Sequence, residues 1–504
     1  MTSSPVRPGP VYLTVLVIAT CGLVYELVAG ALASYLLGDT VTQFSLVIGL
    51  YLTAMGAGAW LSKFVERAVA RRFVEAEIAV AFLGGFSAPI LSFAFLSPRW
   101  FHPVFYAVVF SIGTLVGLEI PLMLRLLRRH VAFKDLVAQV LTFDYLGALV
   151  ASLLFPLVFV PRLGLFRTSL VFGLLNAAVA FATIRLFRHE VGPPGGLIAK
   201  AAIVTALLLG GVASADRLSD LAEEQQYADE VLFARTSPYQ RVVLTRNKAG
   251  FQLFLNGHLQ FSSVDEYRYH EALVHPAFGV VPDARRVAVL GGGDGLAVRE
   301  ILRHPSVESV TLVDLDPMVT RLARENPLFV ELNGGSLRSP KVTVVNDDAM
   351  KWIEEGTGLY DLVFVDFPDP NSFAVGKLYT KRFYALLKRR IAPDGAFAVQ
   401  STSPLFARKS FWIIDRTIEA AGFSTRPYHA AVPSFGEWGW VLASPRPFEA
   451  PSRVMPGLRF LSDATLPALF SFGPDMARWA EAPVNRLHDQ ALVRTYESEW
   501  RKFE

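Results

Sequence analysis

The chain has 504 residues, of which 52% are hydrophobic and 18% charged, with a formal net charge of +3. Soluble domains average about 45–50% apolar and about 25% charged residues, so this composition excludes an ordinary soluble protein. The small net charge and the lack of a Lys/Arg block argue against a nucleic-acid partner. The single cysteine, Cys21, excludes an intrachain disulfide framework and a cysteine-rich metal site, and we expect no metal.

The excess hydrophobicity lies before residue 216, in uncharged runs such as "VYLTVLVIATCGLVY" and "FSLVIGLYLTAMGAGAWL". Runs of about 18 or more apolar residues are typical of transmembrane helices. Because several such runs follow one another, a cleaved signal peptide is disfavoured. We therefore predict an integral membrane domain over residues 1–215 with about seven helices. The predicted spans are 11–32, 43–62, 73–96, 103–124, 136–160, 166–187 and 197–215.

The pattern changes at Asp216. The polar stretch "DRLSDLAEEQQYADE" predicts a linker over 216–235. Short β-rich runs then predict a small β-rich part over 236–282, followed by alternating strands and helices over 283–450 and an extension over 451–504. The predicted fold class is an N-terminal multi-span α-helical membrane domain and a C-terminal α/β Rossmann-like domain of the class I methyltransferase type, preceded by the small β-rich segment.

The segment "RRVAVLGGGDGLAVREILRHPSVESVTLVDLDP" predicts a βαβ unit with a glycine loop. Gly291 to Gly293 let the chain turn tightly and approach a ligand closely. Asp314 ends the second strand, roughly 20 residues after the glycines, where an acid hydrogen-bonds ribose hydroxyls. A dinucleotide is disfavoured, because Asp294 would repel its pyrophosphate. We expect a nucleoside with positive charge and no phosphate, which fits S-adenosylmethionine and its decarboxylated form.

The segment "VTVVNDDAMKWI" predicts a third strand that ends at Asp347 and Asp348. A strand-end acid of this kind is often only a solvated turn residue. After the preceding βαβ unit, we favour a contact with the adenine of the nucleoside.

The combination of "SPYQRVVL", "LFLNGHLQFSSVDEYRYHEALVHP", the glycine segment, "VDFPDP" and "LYTKRFYALLKRRIAPDGAFAVQS" resembles the spermidine synthase family, the polyamine aminopropyltransferases. The resemblance covers about residues 231–445, and the N-terminal spans resemble those of membrane-bound, multi-span members.

The resemblance implies a role for each matching residue. Asp366 matches the catalytic base of the family loop D-x-x-D-P, and Asp369 matches its partner on the amine acceptor. Tyr269 and His270 match the pair that lines the meeting point of the two substrates. The nucleoside side consists of the matches Gln240, Asp294, Asp314 and Asp348, together with Gly291, Gly293 and Asp347 from the patterns above. The family usually has Glu at the position of Asp314.

Two segments depart from the family pattern. Phe367-Pro368 and Asn371-Ser372 stand where the family has small and Gly-Pro residues. The acceptor segment P-T-Y reads "VPSFGEWGW", so that Phe435 replaces a tyrosine that would contact the amine. The identity of the amine is therefore open, with putrescine as the default.

Three ionisable residues, Glu26, Glu119 and Asp144, lie within predicted spans. Such residues are costly in a bilayer and are functional candidates. They predict an intramembrane cation site, with helix-packing hydrogen bonds as the alternative.

The predicted function is transfer of an aminopropyl group from decarboxylated S-adenosylmethionine, a co-substrate, to a di- or polyamine, with release of methylthioadenosine. No prosthetic group is expected. The alternatives are an S-adenosylmethionine-dependent amine methyltransferase and a polyamine sensor or transporter. A homodimer is expected from the resemblance.

The predicted location is the cell inner membrane, in contact with the lipid bilayer. Basic residues follow the even-numbered spans, which places those loops and the N-terminus in the cytoplasm. Seven spans would put the C-terminal part outside, whereas its chemistry favours the cytoplasm. These two expectations conflict.

Overall fold

The computed structural model describes residues 8–37, 40–128, 133–224 and 227–502. The chain divides into two compact units, Met1–Asp229 and Glu230–Glu504.

The first unit is helical because its sequence is apolar over long stretches with few loop residues. Its helices are α1 (Pro8–Leu37), α2 (Thr40–Leu61), α3 (Val69–Gly85), α4 (Ser87–Phe95), α5 (Pro98–Leu127), α6 (Phe133–Leu154), α7 (Val160–Leu186), α8 (Arg188–Val191), α9 (Gly195–Ala213) and α10 (Ala215–Glu224). Small residues bring α2 and α5 close together: a Cβ at Gly58 would meet the Thr114 carbonyl, and one at Gly117 would meet Met55.

The count of seven spans stays a prediction. Five helical stretches are long and apolar enough to cross a membrane, or six if the pair α3 and α4, bent by 42°, is one span. The fifth and sixth predicted spans form one stretch, Asp135–Leu186, of 52 residues. It continues through π-helical Phe155–Phe159 and turns at Gly164, whose φ of 70° departs from the helix. At about 1.5 Å per residue, the helical segments of this stretch add up to about 78 Å. Since the hydrocarbon core of a bilayer is about 30 Å thick, the stretch is long enough for two crossings.

The second unit begins with a four-stranded antiparallel sheet in the order β1-β2-β3-β4. Its strands are β1 (Glu230–Thr236), β2 (Arg241–Arg246), β3 (Phe251–Leu255) and β4 (His258–Ser262). All but the last residue of the first strand lies within the range predicted as linker, 216–235, of which only α10 is helical. The reason is that β1 pairs with β2 along its length, which its mixed polar sequence does not reveal.

The larger sheet has seven strands in the order β10-β11-β9-β8-β5-β6-β7. They are β5 (Arg286–Gly291), β6 (Ser309–Asp314), β7 (Val342–Asn346), β8 (Tyr360–Asp366), β9 (Ile391–Gln400), β10 (Ser424–Val432) and β11 (Gly436–Ser444). Strands β5 to β9 are parallel, and β11 is antiparallel to β9 and β10. The strand order reverses between β5 and β8, and open α/β sheets bind ligands at such a switch point.

Helices cover both faces of this sheet, and separate apolar clusters lie on its two sides. The helices are α11 (Glu266–Val280), α12 (Leu296–Ile301), α13 (Pro317–Glu325), α14 (Pro327–Leu332), α15 (Ala349–Glu355), α16 (Phe373–Gly376), α17 (Lys381–Leu387), α18 (Arg408–Ala420) and α19 (Ala491–Trp500). The extension after residue 450 packs on the rest of the unit. The carboxylate of Glu271 accepts hydrogen bonds from the backbone N–H groups of Arg459, Phe460 and Leu461.

Candidate active site

The carboxyl ends of β5 and β8 meet at the switch point. Gly291 and Asp366 are paired in the parallel register. Gly291 has a φ of +81°, and a Cβ there would meet the Asp366 carbonyl. The backbone therefore requires glycine at this position, because a side chain would displace the strand that carries Asp366.

The glycine loop brings the ribose candidate Asp314 against the backbone. The Gly293 N–H donates to Asp314 Oδ2 at 3.0 Å, and the Asp316 N–H donates to Oδ1 at 2.9 Å. Burial raises the pKa of Asp314 to about 6, although both hydrogen bonds lower it. The two donors fix the orientation of the carboxylate, while further lone pairs can accept from a ribose diol.

Gln240, the other nucleoside candidate, is held at the end of β6. Its Nε2 donates to Asp316 Oδ2 at 3.0 Å, and Ser237 Oγ donates to the same oxygen at 2.7 Å. Asp316 also accepts from the Met318 N–H at the start of α13. The turn between β1 and β2 is thus tied to the nucleoside side of the larger sheet through one buried carboxylate.

Asp294 lies in the glycine loop, where its Oδ1 accepts from the Leu296 N–H at 2.9 Å. Burial raises the pKa of this carboxyl, and the nearby charge of His270 opposes the rise. Asp294 is therefore an acid held within the glycine loop, and its contact with an ammonium group stays a prediction.

The adenine candidates differ in their surroundings. Asp347 accepts from the Asp348 N–H at 2.8 Å. Asp348 caps α15 and pairs with Lys377 Nζ at 2.6 Å. Burial acts to raise the pKa of Asp348, but the hydrogen bond and charge of Lys377 lower it overall. Asp348 is therefore an ionised helix cap as well as a strand-end acid.

The predicted base Asp366 is joined to Tyr269, whose Oη donates to Asp366 Oδ1 at 2.6 Å. Burial raises the pKa of Asp366 to about 6; the charges of His270 and Asp294 act in opposite directions on it, and the tyrosine hydrogen bond lowers it. A general base works best when its pKa is near the working pH. Asp366 therefore has the properties of a proton acceptor.

His270 is fixed by a buried ion network. Its Nδ1 lies 2.9 Å from Glu266 Oε2 and 2.8 Å from the Glu266 carbonyl oxygen, so Nδ1 carries the proton and donates. Arg299 donates to both oxygens of Glu266, each at 2.9 Å. Burial acts to lower the pKa of His270, but Glu266 and the charges of Asp294 and Asp366 raise it overall. This favours an orienting, cationic histidine over a base.

Asp369, the acceptor-binding candidate, has three donors. Gln400 Nε2 donates to Oδ1 at 3.1 Å, and Thr402 Oγ1 and Tyr496 Oη donate to Oδ2 at 3.1 and 2.7 Å. Thr402 has a φ of +61°, a strained conformation for a β-branched residue. Burial raises the pKa of Asp369, while the three hydrogen bonds lower it.

Phe435 lies in the turn between β10 and β11 and belongs to an aromatic group. Its ring centroid is 5.0 Å from that of Trp438 and 6.1 Å from that of Tyr269. The turn is held by Asp265, which accepts from the Ser434 N–H at 2.6 Å and from Ser434 Oγ at 2.9 Å. Because phenylalanine has no hydroxyl, the side chain at position 435 cannot form a hydrogen bond with an amine.

The acids of the helical unit differ in their burial. Glu119 is 1% exposed, whereas Glu26 and Asp144 are only half-buried. Glu77, which the sequence did not single out, is buried and accepts from Asn176 Nδ2 at 2.8 Å. Within the described ranges, no three His, Cys, Asp or Glu side chains form a group that could hold a metal ion. The cation site stays a prediction.

Four polar residues of the second unit were missed from sequence: Glu266, Arg299, Asp316 and Tyr496. Asp316 had a signal, because Asp before Pro317 at the first position of a helix is a capping pattern. Arg299 and Tyr496 act across long chain separations, which local patterns do not reveal, whereas Glu266 contacts His270 four positions along the same helix.

The seven-stranded mixed sheet with helices on both faces is the Rossmann-like fold that the sequence predicted. A family model described as "Spermine/spermidine synthase domain" matches residues 266–449. The polyamine aminopropyltransferase of Leptospira interrogans is 50% identical over 491 residues, covering 97% of this chain and 98% of that protein. Polyamine aminopropyltransferase 2 of Ralstonia nicotianae is 52% identical, covering 97% of each. The chain therefore belongs to the spermine/spermidine synthase family of polyamine aminopropyltransferases.

Two solved structures are also similar. A spermidine synthase in complex with the transition-state analogue AdoDATO is 26% identical, with a TM-score of 0.45, over 48% of this chain and 86% of that one. A spermidine synthase from Thermotoga maritima is 25% identical with the same TM-score of 0.45, over 48% and 85%.

Proposed function

We propose that the protein transfers the aminopropyl group of decarboxylated S-adenosylmethionine to a di- or polyamine, with putrescine as the default acceptor and spermidine as its product. The near full-length relatives named polyamine aminopropyltransferase support this function. The observation that carries the mechanism is the partly buried Asp366, with a pKa of about 6 and a hydrogen bond from Tyr269, beside the glycine loop.

The chain's residues then divide the reaction between them. Asp314 and Gln240 hold the ribose side, Asp347 and Asp348 the adenine side, and Asp294 the ammonium of the aminopropyl chain. Asp369 binds the amine acceptor.

The acceptor nitrogen attacks the methylene next to the sulfonium, so that the new C–N bond forms as the C–S bond breaks. The sulfur keeps the bonding electron pair and leaves as neutral methylthioadenosine. Asp366 takes the proton that the nitrogen loses. The acids around it stabilise the positive charge, and fixed positions supply much of the acceleration.

The test uses the full chain in detergent with each nucleoside and a panel of diamines and polyamines. Release of methylthioadenosine with the decarboxylated nucleoside is expected. Release of S-adenosylhomocysteine from the intact nucleoside would instead establish an amine methyltransferase. If the protein turns over neither nucleoside with any amine, the remaining alternative is a polyamine sensor or transporter.

We also propose that the helical unit is a multi-pass domain of the cell inner membrane. Its apolar exterior supports this: Leu52, Trp60 and Leu157 are 58%, 56% and 71% exposed. Exposed apolar surface of this kind is costly in water. The protein is expected in the membrane fraction after carbonate washing and in solution only with detergent; recovery in the carbonate supernatant would contradict the proposal.

The catalytic unit is proposed to face the cytoplasm, and the family resemblance suggests a homodimer. Cys21 is buried and is the single cysteine, so it gives a low labelling background. In K248C, at the exposed turn of β2 and β3, an impermeant maleimide should label lysed cells and not intact cells. Labelling of intact cells would place this unit outside.

Light scattering in detergent tests the proposed homodimer, for which the protein mass should be twice that of one chain.

A further inference from the structure

The C-terminal helix α19 brings a phenol to the acceptor side of the proposed active site. Tyr496 Oη donates to Asp369 Oδ2 at 2.7 Å, across 127 positions of the chain. Thr402 Oγ1 donates to the same oxygen at 3.1 Å. Tyr496 is thus in direct contact with the carboxylate to which the proposed function assigns the acceptor amine.

The position of α19 is fixed at both ends. Near its C-terminal end, Glu499 accepts from the Lys409 N–H, the Ser410 N–H and Ser410 Oγ, at 2.8, 3.0 and 2.8 Å, which satisfies backbone donors at the start of α18. Before its first turn, the buried Asn485 donates to the carbonyl oxygens of Gly376 and Tyr379. These contacts seat the helix on the segment that follows Asp369.

The helix also packs tightly on that segment. Leu492 and Val493 are buried, and a Cβ at Gly376 would meet Val493. This packing and the hydrogen bonds of Glu499 and Asn485 hold α19 where Tyr496 contacts Asp369.

A phenol suits an ammonium ligand because its oxygen can donate to a carboxylate and accept from a cation at the same time. Gln400 donates to Asp369 through an amide N–H group that cannot accept, whereas the Thr402 hydroxyl, on the same oxygen as Tyr496, can also accept. Phe435, at the position where the family has a tyrosine, has no hydroxyl.

We propose that Tyr496 is a specificity-determining residue for the acceptor amine: it orients Asp369 and adds a second acceptor for the terminal ammonium group. This inference rests on the proposed function. The extension after residue 450 is then part of the acceptor site.

The test measures kcat and KM for Y496F in the full chain, with putrescine and longer or shorter diamines. A lost hydrogen bond to a charged group predicts about a tenfold or greater rise in the KM for the amine. The KM for decarboxylated S-adenosylmethionine and the melting temperature should stay at the wild-type values. The ranking of diamines by length should change, because the ammonium position is less defined.

The matched control is S498A, which removes an exposed hydroxyl from the same helix, one that donates to the Thr495 carbonyl and does not contact Asp369. It should keep the wild-type constants. E499A, which loosens the helix without touching Asp369, should raise the KM for the amine as Y496F does.

An unchanged amine KM in Y496F overturns the inference, and so does an equal rise in both KM values with a lower melting temperature. If the wild type releases no methylthioadenosine with any amine, the proposed function itself fails, which is a different result.

Discussion

Tyr269 Oη and Asp366 Oδ1 lie 2.6 Å apart, joining α11 to the end of β8. The hydrogen bond fixes the rotamer of the carboxylate, so that its second oxygen, Oδ2, has a defined direction beside Gly292. A proton acceptor held in this way matches the role proposed for Asp366.

Replacing Asp366 by Asn keeps the shape of the side chain and removes its basicity. We expect D366N to lose about 10²–10⁴-fold in kcat, the usual contribution of a general base. Nucleoside binding should be retained, because the residues proposed to hold the nucleoside, Asp314 and Gln240, do not include Asp366. Single-turnover assays measure the loss of rate, and calorimetry with the decarboxylated nucleoside measures its binding. Full activity in D366N would rule out the proposed mechanism.

The activity should depend on the ionisation of Asp366. Burial raises its pKa to about 6, so the carboxyl is protonated and inactive below that pH, and kcat should rise with pH through about 6. Since the hydrogen bond from Tyr269 lowers this pKa, Y269F should move the acidic limb to higher pH.

The control for that shift is Y267F on the same helix. Tyr267 stacks under Arg459 at 3.7 Å, and phenylalanine preserves this ring contact. Its pH profile should match the wild type. A Y269F profile that stays in place or moves to lower pH contradicts the assignment of the limb to Asp366.

Selectivity for the decarboxylated nucleoside should depend on Asp294. D294N removes the charge that would bind the ammonium, so the KM for the decarboxylated nucleoside should rise about tenfold or more. Binding of intact S-adenosylmethionine should weaken less, since its own carboxylate no longer meets a negative charge. Competition assays with both nucleosides measure the ratio. D283N, at an exposed acid, removes the same charge elsewhere and should leave the ratio unchanged.

The sequence predicted the parts of the fold that depend on local patterns. Buried strands β5 and β8 read as short apolar runs, and parallel strands place Gly291 and Asp366 at one edge of the sheet. The roles given to the individual site residues stay predictions, and only the residues at strand ends, such as Gly291 and Asp366, have places that follow from the strand pattern.

Long-range placement could not be predicted in the same way. Nothing in the sequence near Tyr496 indicates that α19 lies against Asp369, because the contact depends on the packing of Glu499 and Asn485. The helical unit has a similar limit. The sequence of α3 does not show that Glu77 is buried and accepts from Asn176, 99 positions along the chain.

The close approach of the two strand ends gives a further prediction, which compares two glycines of almost equal φ. Gly291 has φ +81° with the Asp366 carbonyl next to its Cβ position, and Gly257, in the turn between β3 and β4, has φ +80° with open space around it. A left-handed conformation costs a residue with a Cβ roughly 1–2 kcal/mol. G257A should therefore lower the melting temperature modestly and leave kcat unchanged.

G291A adds a steric conflict to the same backbone cost. Relief of that conflict must move the end of β8, which carries Asp366, relative to the glycine loop. Misplacement by about 1 Å can cost roughly 10²-fold in rate, so G291A should lose activity of that order even at temperatures where it remains folded. Thermal melts of the two variants measure the backbone cost that they share, and their kcat values measure the displacement of Asp366 that only G291A should cause. Equal kcat in G257A and G291A would show that the register of β5 and β8 does not position the base.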